Sequence, residues 1–276
     1  MSNTFNKINL DDIDIPGRPD VVLKVIAMLE DEYCSVTKLE KVILEDPSIT
    51  AVLLKISNAP LFLTGKSITT VAESIMSIGI GNVVAFVSLA AVANQCLNSN
   101  CDKDILRHLL AVSSAASMLT EHTKKVTIKR EVATVAGLLH DVGKLVLMIS
   151  LPKEYTKTKQ HAMEEKQVFF RAEEALLGTN HCTVGSALAR KWKLPHIYQE
   201  IILKHHDAKI KATGLSNVDI LCYLVRIADK LVLDAGIGAF ISGEQDLPDL
   251  LACLGIEEAV YQNISQKIVK AGSIDL

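Results

Sequence analysis

Apolar residues recur at intervals of three and four along almost the whole chain, and strict alternation of apolar and polar positions is nearly absent. That period predicts helices and almost no sheet. Helix-start and helix-stop residues then divide the pattern. Asp20 opens a first helix whose buried side carries Val21, Val22, Val25, Ile26 and Leu29. Ser35-Val36-Thr37 starts a second, running through Leu39, Val42, Ile43 and Leu44. Asp46-Pro47 reads as a cap followed by proline in the first turn, where its missing N–H is no loss. Thr69-Thr70 precedes VAESIMSI, which Gly79 stops, and a long apolar helix follows at about 82–97.

The stretch NSNCDKD, residues 98–104, is the sharpest drop in hydrophobicity. Beyond it, helices are predicted at about 104–123, 129–149, 163–177, 181–192, 195–206 and 216–235. Trp192-Lys193-Leu194-Pro195 marks a helix–turn–helix junction, because proline disfavours helix at the residue before it and suits a new first turn. One or two short helices occupy LPDLLACLG and EEAVYQNISQKIVKAG in the tail. The expectation is an all-α protein with an N-terminal helical subdomain at 1–100, a second at 101–240 and a helical tail at 241–276.

Composition narrows the class. The 276 residues are 49% hydrophobic and 22% charged, as in a soluble globular protein. A net charge of -3 gives no general attraction to nucleic acid. The six cysteines form no CxxC pair, which argues against a zinc ribbon or disulfide framework and fits a reducing cytoplasm. The start, MSNTFNKINLDD, lacks the basic and apolar regions of a signal peptide. The most apolar run, VVAFVSLAAVA, would span only about half a bilayer core as a helix, so a buried core helix is expected. A cytoplasmic protein without membrane or nucleic-acid partners is the resulting expectation.

Seven residues carry the candidate chemistry: His108, His140, Asp141, His181, His205, His206 and Asp229. They include five of the eight histidines, and each lies within or beside an apolar helical stretch where an unpaired ionisable group is costly. Imidazole nitrogens and carboxylate oxygens are the donors a divalent metal needs. In GLLHDVGKL, Asp141 can bridge two metals or accept a histidine proton, and Lys144 can meet an anion or pair with Asp141. Taken alone, the His140-Asp141 doublet reads equally well as a buried structural hydrogen bond. His108 lies one turn from Val112, at the edge of a buried face, and Asp229 can bind a metal, pair with Arg226 or cap a neighbouring helix. Adjacent helical side chains diverge by about 100°, so His205 and His206 reach one site only if that site meets the helix end. His122, His161 and His196 sit among polar residues or in a first turn and receive no role. No serine stands in a Gly-x-Ser-x-Gly elbow, and Gly79-Ile80-Gly81 lacks a preceding strand, so neither a serine hydrolase nor a dinucleotide loop is indicated.

The order H…HD…H…HH…D on helices resembles the HD superfamily of metal-dependent phosphohydrolases, and the wider chain is similar to its HDOD branch. LEDPSITAVLLKISNAP, VAESIMSIGIGNVVAF, GLLHDVGKL, EEALLGTNHCTVGSALARKWKLPHIYQEIILKHH and VRIADKL carry the likeness, over roughly residues 15–235. The resemblance implies an HD-type helical bundle with an N-terminal helical subdomain. It implies a first metal at His108, His140, Asp141 and Asp229, and a second at His181, His205 and His206 by analogy with HD-GYP phosphodiesterases. Asp141 and Lys144 would be the catalytic pair, one holding metal and water, the other phosphate. The His-rich set makes iron, manganese or zinc better candidates than magnesium alone. Yet DAKIKATG follows His205-His206 in place of the acidic and GYP residues of the phosphodiesterases. HDOD proteins are associated with signalling more than with an established reaction. The implied role is therefore a signal-transduction module acting through protein partners, with a nucleotide or phosphoester as a candidate ligand. A metal-dependent phosphohydrolase and a metal-free interaction scaffold are the alternatives.

Overall fold

The structure, a computed structural model, describes Ile13 and residues 20–29, 33–58, 67–97, 104–207, 209–211, 213–238 and 246–271. No strand occurs among them; the protein is all-α. In chain order the helices are α1 (Asp20–Leu29), α2 (Val36–Ile43), α3 (Pro47–Ser57), α4 (Val71–Ile78) and α5 (Val83–Leu97). Next come α6 (Asp104–Leu119), α7 (Arg130–Leu139), α8 (Val142–Ser150), α9 (Pro152–Glu164) and α10 (Phe169–Leu177). The last are α11 (His181–Lys191), α12 (His196–Lys204), α13 (Asn217–Asp234), α14 (Leu247–Leu254) and α15 (Glu258–Ala271).

The predicted starts rest on side-chain caps that satisfy the otherwise unpaired first N–H groups. Ser35 accepts from the Lys38 N–H, and Asp46 accepts from Ser48 and Ile49 ahead of Pro47. Thr70 and Glu73 form a reciprocal capping box, as do Ser216 and Asp219 at the head of α13. Gly79, at φ 82°, ends α4. The low-hydrophobicity break falls on residues 98–103, outside the described residues.

Two boundaries depart from expectation. The helix expected at 129–149 is two helices, α7 and α8, separated at His140-Asp141. The segment expected as one helix at 163–177 is α10 alone, preceded by a separate α9 that periodicity missed. Helix α9 is strongly polar (PKEYTKTKQHAME) and buries only Tyr155, Thr158 and Ala162, so it carries a weak apolar stripe.

One hydrophobic cluster extends from α1 to α15. Helix α5 is buried on nearly every face from Val83 to Ala93, as a helix apolar all round must be. It packs against α1 and α3 on one hand and against α7 and α8 on the other. Ile80–Leu97 and Arg130–Ser150 are long and apolar enough to cross a bilayer, but 67% and 83% of them are buried inside the fold. Helices α6, α7 and α13 pack against one another, α11 lies on α8 and α12, and α14 and α15 cover α13.

The contacts that position the later site are backbone-close. A Cβ at Gly143 of α8 would lie 1.9 Å from the His181 carbonyl oxygen and 2.7 Å from the Gly185 nitrogen of α11. A Cβ at Gly137 of α7 would lie 2.7 Å from Ser113 Cα of α6. Only glycine permits either approach.

Gly143→Ala is expected to destabilise the protein at or above the upper end of the usual overpacking cost of about 1–3 kcal/mol. Gly81→Ala, with nothing within 4 Å of its added Cβ, should be close to neutral. Equal denaturant midpoints for the two variants would overturn the close α8–α11 contact. A second expectation concerns pH. Burial opposes ionisation of Asp219, but hydrogen bonds from Ser216 and Lys211 together outweigh it and hold its carboxyl down at about 2. Its folded pKa lies below the unfolded value, so its contribution is present above about pH 4 and fades as pH falls toward 2. Asp219→Ala should therefore lower the melting temperature at pH 7 and have little effect at pH 2.

Candidate metal centre

Helix ends deliver most of the chemistry. Helix α7 stops at Leu139, His140 caps it, and Asp141 takes a non-helical conformation (φ −104°, ψ 15°) before α8 begins. His181 is the first residue of α11, set there by Asn180, whose side chain accepts the Thr183 N–H. His205 caps the C-terminus of α12, and His206 follows it. His108 comes from α6 and Asp229 from α13. Breaking the chain at the HD and HH pairs lets adjacent side chains turn to one place, which a continuous helix would prevent.

Asp141 stands at the middle, 1% exposed. One carboxylate oxygen, Oδ2, lies 3.3 Å from His140 Nε2 and 3.6 Å from His108 Nε2. The other, Oδ1, lies 3.1 Å from His181 Nε2 and 3.6 Å from His205 Nε2. His108 Nε2 is also 3.0 Å from Asp229 Oδ1. Lys144, buried one turn into α8, donates to Asp141 Oδ2. The His206 ring sits 4.2 Å from that of His205 and 5.2 Å from that of His181. All seven sequence-selected residues and Lys144 thus converge.

The opposite ring nitrogens fix the imidazoles. His140 Nδ1 is 2.8 Å from the Gly137 carbonyl, His205 Nδ1 is 3.0 Å from Ile202, and His108 Nδ1 is 3.3 Å from Ile237. His181 Nδ1 meets the Glu173 carboxylate, which also accepts the His181 backbone N–H. A nitrogen against a carbonyl or carboxylate must carry the proton, so in each neutral ring Nε2 is a bare acceptor. These acceptors then face carboxylate oxygens, which are acceptors too. Such contacts are favourable only with a cation between them, either a second ring proton or a metal. Consistently, Nε2 of His108, His140 and His181 and Oδ1 of Asp141 and Asp229 are buried without a hydrogen-bond partner. The donor set fits a metal on this ground.

Electrostatics follow from the same crowding. Burial opposes ionisation of Asp141, but His140, Lys144 and His181 outweigh it and hold its carboxyl far below the usual range. Asp229 is likewise depressed: burial opposes its ionisation, but the adjoining His108 ring, 3.0 Å away, and His140 outweigh it. Burial pushes the His140 pKa down, and burial with repulsion from His205 and His181 pushes His206 well down. His205 is raised to about 10, because Cys182 and Asp141 overcome its desolvation. Cys182 falls to about 7: burial opposes the thiolate, and His181 and His205 stabilise it.

Two participants were not singled out in the sequence. Glu173 of α10 is fully buried and reaches His181 eight residues on; nothing in EEALLG distinguishes it from the neighbouring Glu174. Cys182 adjoins His181, and its residue type beside a candidate ligand was the available signal. The donor atoms of His181, Cys182, His205 and His206 lie within 4.8 Å of one another, as do those of His108, His140 and Asp229. Arg226 does not pair with Asp229; it bonds Asp246 and the Asp207 carbonyl. His108 is fully buried, not at the margin of its helix face. His122 and His196 are exposed and His161 is half-buried on α9.

Several known proteins are similar to this chain. An uncharacterised protein of Treponema pallidum is 22% identical over 196 residues, covering 70% of this chain and 38% of its own length. The chain thus spans well under half of that relative. An HDOD domain protein of unknown function from Geobacter sulfurreducens superposes with a TM-score of 0.70 at 24% identity, covering 94% of this chain and 92% of its own. A candidate phosphohydrolase from Shewanella amazonensis gives 0.68 at 18% identity, covering 95% and 94%. A candidate signal transduction protein from Marinobacter aquaeolei gives 0.72 at 16% identity, covering 97% and 59%. These likenesses concern the fold. The HDOD domain model itself matches residues 15–208, and the chain belongs to the HDOD family.

Proposed function

We propose that this protein is a cytoplasmic bacterial signal-transduction module built around a dinuclear His/Asp metal centre. The observation that carries the reading is Asp141: its two oxygens face two different groups of imidazole Nε2 atoms, in a place where only a cation makes those contacts favourable. His108, His140, Asp229 and Asp141 Oδ2 would hold one ion. His181, His205, His206 and Asp141 Oδ1 would hold the other. Iron, manganese or zinc suits this imidazole-rich set better than magnesium. Solved relatives carry names from both metal-dependent phosphohydrolases and signalling proteins.

Burial favours regulation over turnover. Catalytic metal sites keep an open position, whereas structural ones are closed by protein ligands. Here His108, His140, Asp141, His181, His205 and Asp229 are all buried, and of the candidate ligands His206 alone is half-exposed. Lys144, the candidate phosphate-holding residue, is committed to Asp141 Oδ2 and lies 5% exposed. In this reading Lys144 offsets the charge of the bridging carboxylate, and the centre tunes a helical surface read by protein partners. Bound metal would supply Lewis acidity and an activated water in the second reading, a phosphohydrolase acting on a nucleotide or other phosphoester. The half-exposed His206 and Phe170, with rings 5.2 Å apart, mark where such a ligand would enter.

Protein purified without a histidine tag is expected to carry stoichiometric iron, manganese or zinc and to lose thermal stability in chelator. A metal-free preparation indifferent to chelator and to added metal would support the interaction scaffold. Asp141→Ala should lose the metal, and His122→Ala should keep it; equal retention would overturn the assignment. Metal-loaded protein on a phosphoester panel should show no turnover beyond the Asp141→Ala control, and turnover specific to the unsubstituted protein would establish the phosphohydrolase reading.

A further inference from the structure

The second donor group holds a residue that the His/Asp pattern does not call for. We propose that Cys182 is a thiolate ligand of the second metal position, making it a nitrogen–sulfur site for a soft or borderline ion such as zinc, iron or cobalt. The inference rests on the metal-centre reading above and adds a ligand to it.

A buried cysteine is commonly a small apolar filler. Cys182 has a different environment. It is buried at the second position of α11, directly after His181, and its Sγ stands 3.8 Å from both ring nitrogens of His205. Its sulfur and the donor nitrogens of His181, His205 and His206 lie within 4.8 Å of one another. Metal–nitrogen bonds of about 2.0 Å and metal–sulfur bonds of about 2.3 Å set tetrahedral donors roughly 3.3–3.8 Å apart, so a small inward closure suffices. Independently of the cysteine, the fully buried His181 Nε2 lacks a hydrogen-bond partner and faces the same group from its ring fixed on Glu173. Among the described residues no other cysteine joins a donor cluster; Cys253 Sγ, for example, donates to the Lys211 carbonyl.

The chemical consequence is selectivity. Three imidazoles, Asp141 Oδ1 and a thiolate would complete the second position with protein atoms alone, and a thiolate disfavours magnesium and calcium. The two positions would then differ, because only the second carries a sulfur donor.

Metal-free protein titrated anaerobically with Co(II) tests this directly. Visible cobalt bands report any low-symmetry binding, and a near-ultraviolet thiolate-to-cobalt charge-transfer band reports sulfur. Both are expected in the unsubstituted protein and in Cys253→Ser. Cys182→Ser should lose the near-ultraviolet band and release cobalt to a chelator at least about tenfold more readily, since even supporting residues around a metal contribute that much. On the unsubstituted zinc-loaded protein, X-ray absorption should show a sulfur neighbour at about 2.3 Å, a readout independent of how any variant folds. Visible bands without the sulfur band or sulfur neighbour would overturn the thiolate and leave the metal centre standing. Persistence of the band in Cys182→Ser would also overturn it. No cobalt or zinc binding at all would overturn both readings.

Discussion

A single buried carboxylate organises this molecule. Asp141 is enclosed by His108, His140, His181, His205 and Lys144, drawn from α6, the α7–α8 break, α11, α12 and α8. Burying that charge alone would cost several kcal/mol, so the surrounding cations, protons or metals are a condition of the fold and not an ornament on it. The close backbone contacts at Gly137 and Gly143 serve the same end, because they bring α6 to α7 and α8 to α11 at the level of the carboxylate.

The supporting layer explains how the imidazoles are held. Carbonyls of Gly137, Ile202 and Ile237 and the carboxylate of Glu173 occupy the outer ring nitrogens and turn the inner ones toward Asp141. Three of these partners are backbone groups, which any sequence would supply once the helices end where they do. The centre is therefore made as much by helix termini as by residue type. Arg226 extends the connection outward: it joins the Asp207 carbonyl, just past His206, to Asp246 at the head of α14. That partly buried pairing ties the tail to the loop carrying the histidine doublet.

Much of this was legible in the linear pattern. Caps at Ser35, Asp46 and Thr70 stood where the helix-start chemistry required them, because capping is local. The polar helix α9 was not legible, since only three of its residues reach the core. The break at His140-Asp141 was not legible either: Val135 through Leu147 is apolar at helical spacing across the break, and periodicity carries no record of a one-residue change in backbone angle. Glu173 was hidden by its neighbours, because a glutamate beside a second glutamate at the helix surface has the same sequence signature whether or not one of them turns inward.

The sequence by itself determined the helical class, most helix starts and the inventory of seven ligand-type residues, because hydrophobic period and residue chemistry are properties of the chain. Tertiary structure alone decided which ring nitrogen faces inward, that one carboxylate serves two groups, and that Glu173 and Cys182 join them. Those outcomes depend on where separate helices end and how closely their backbones approach, and such distances are fixed only when the whole core packs.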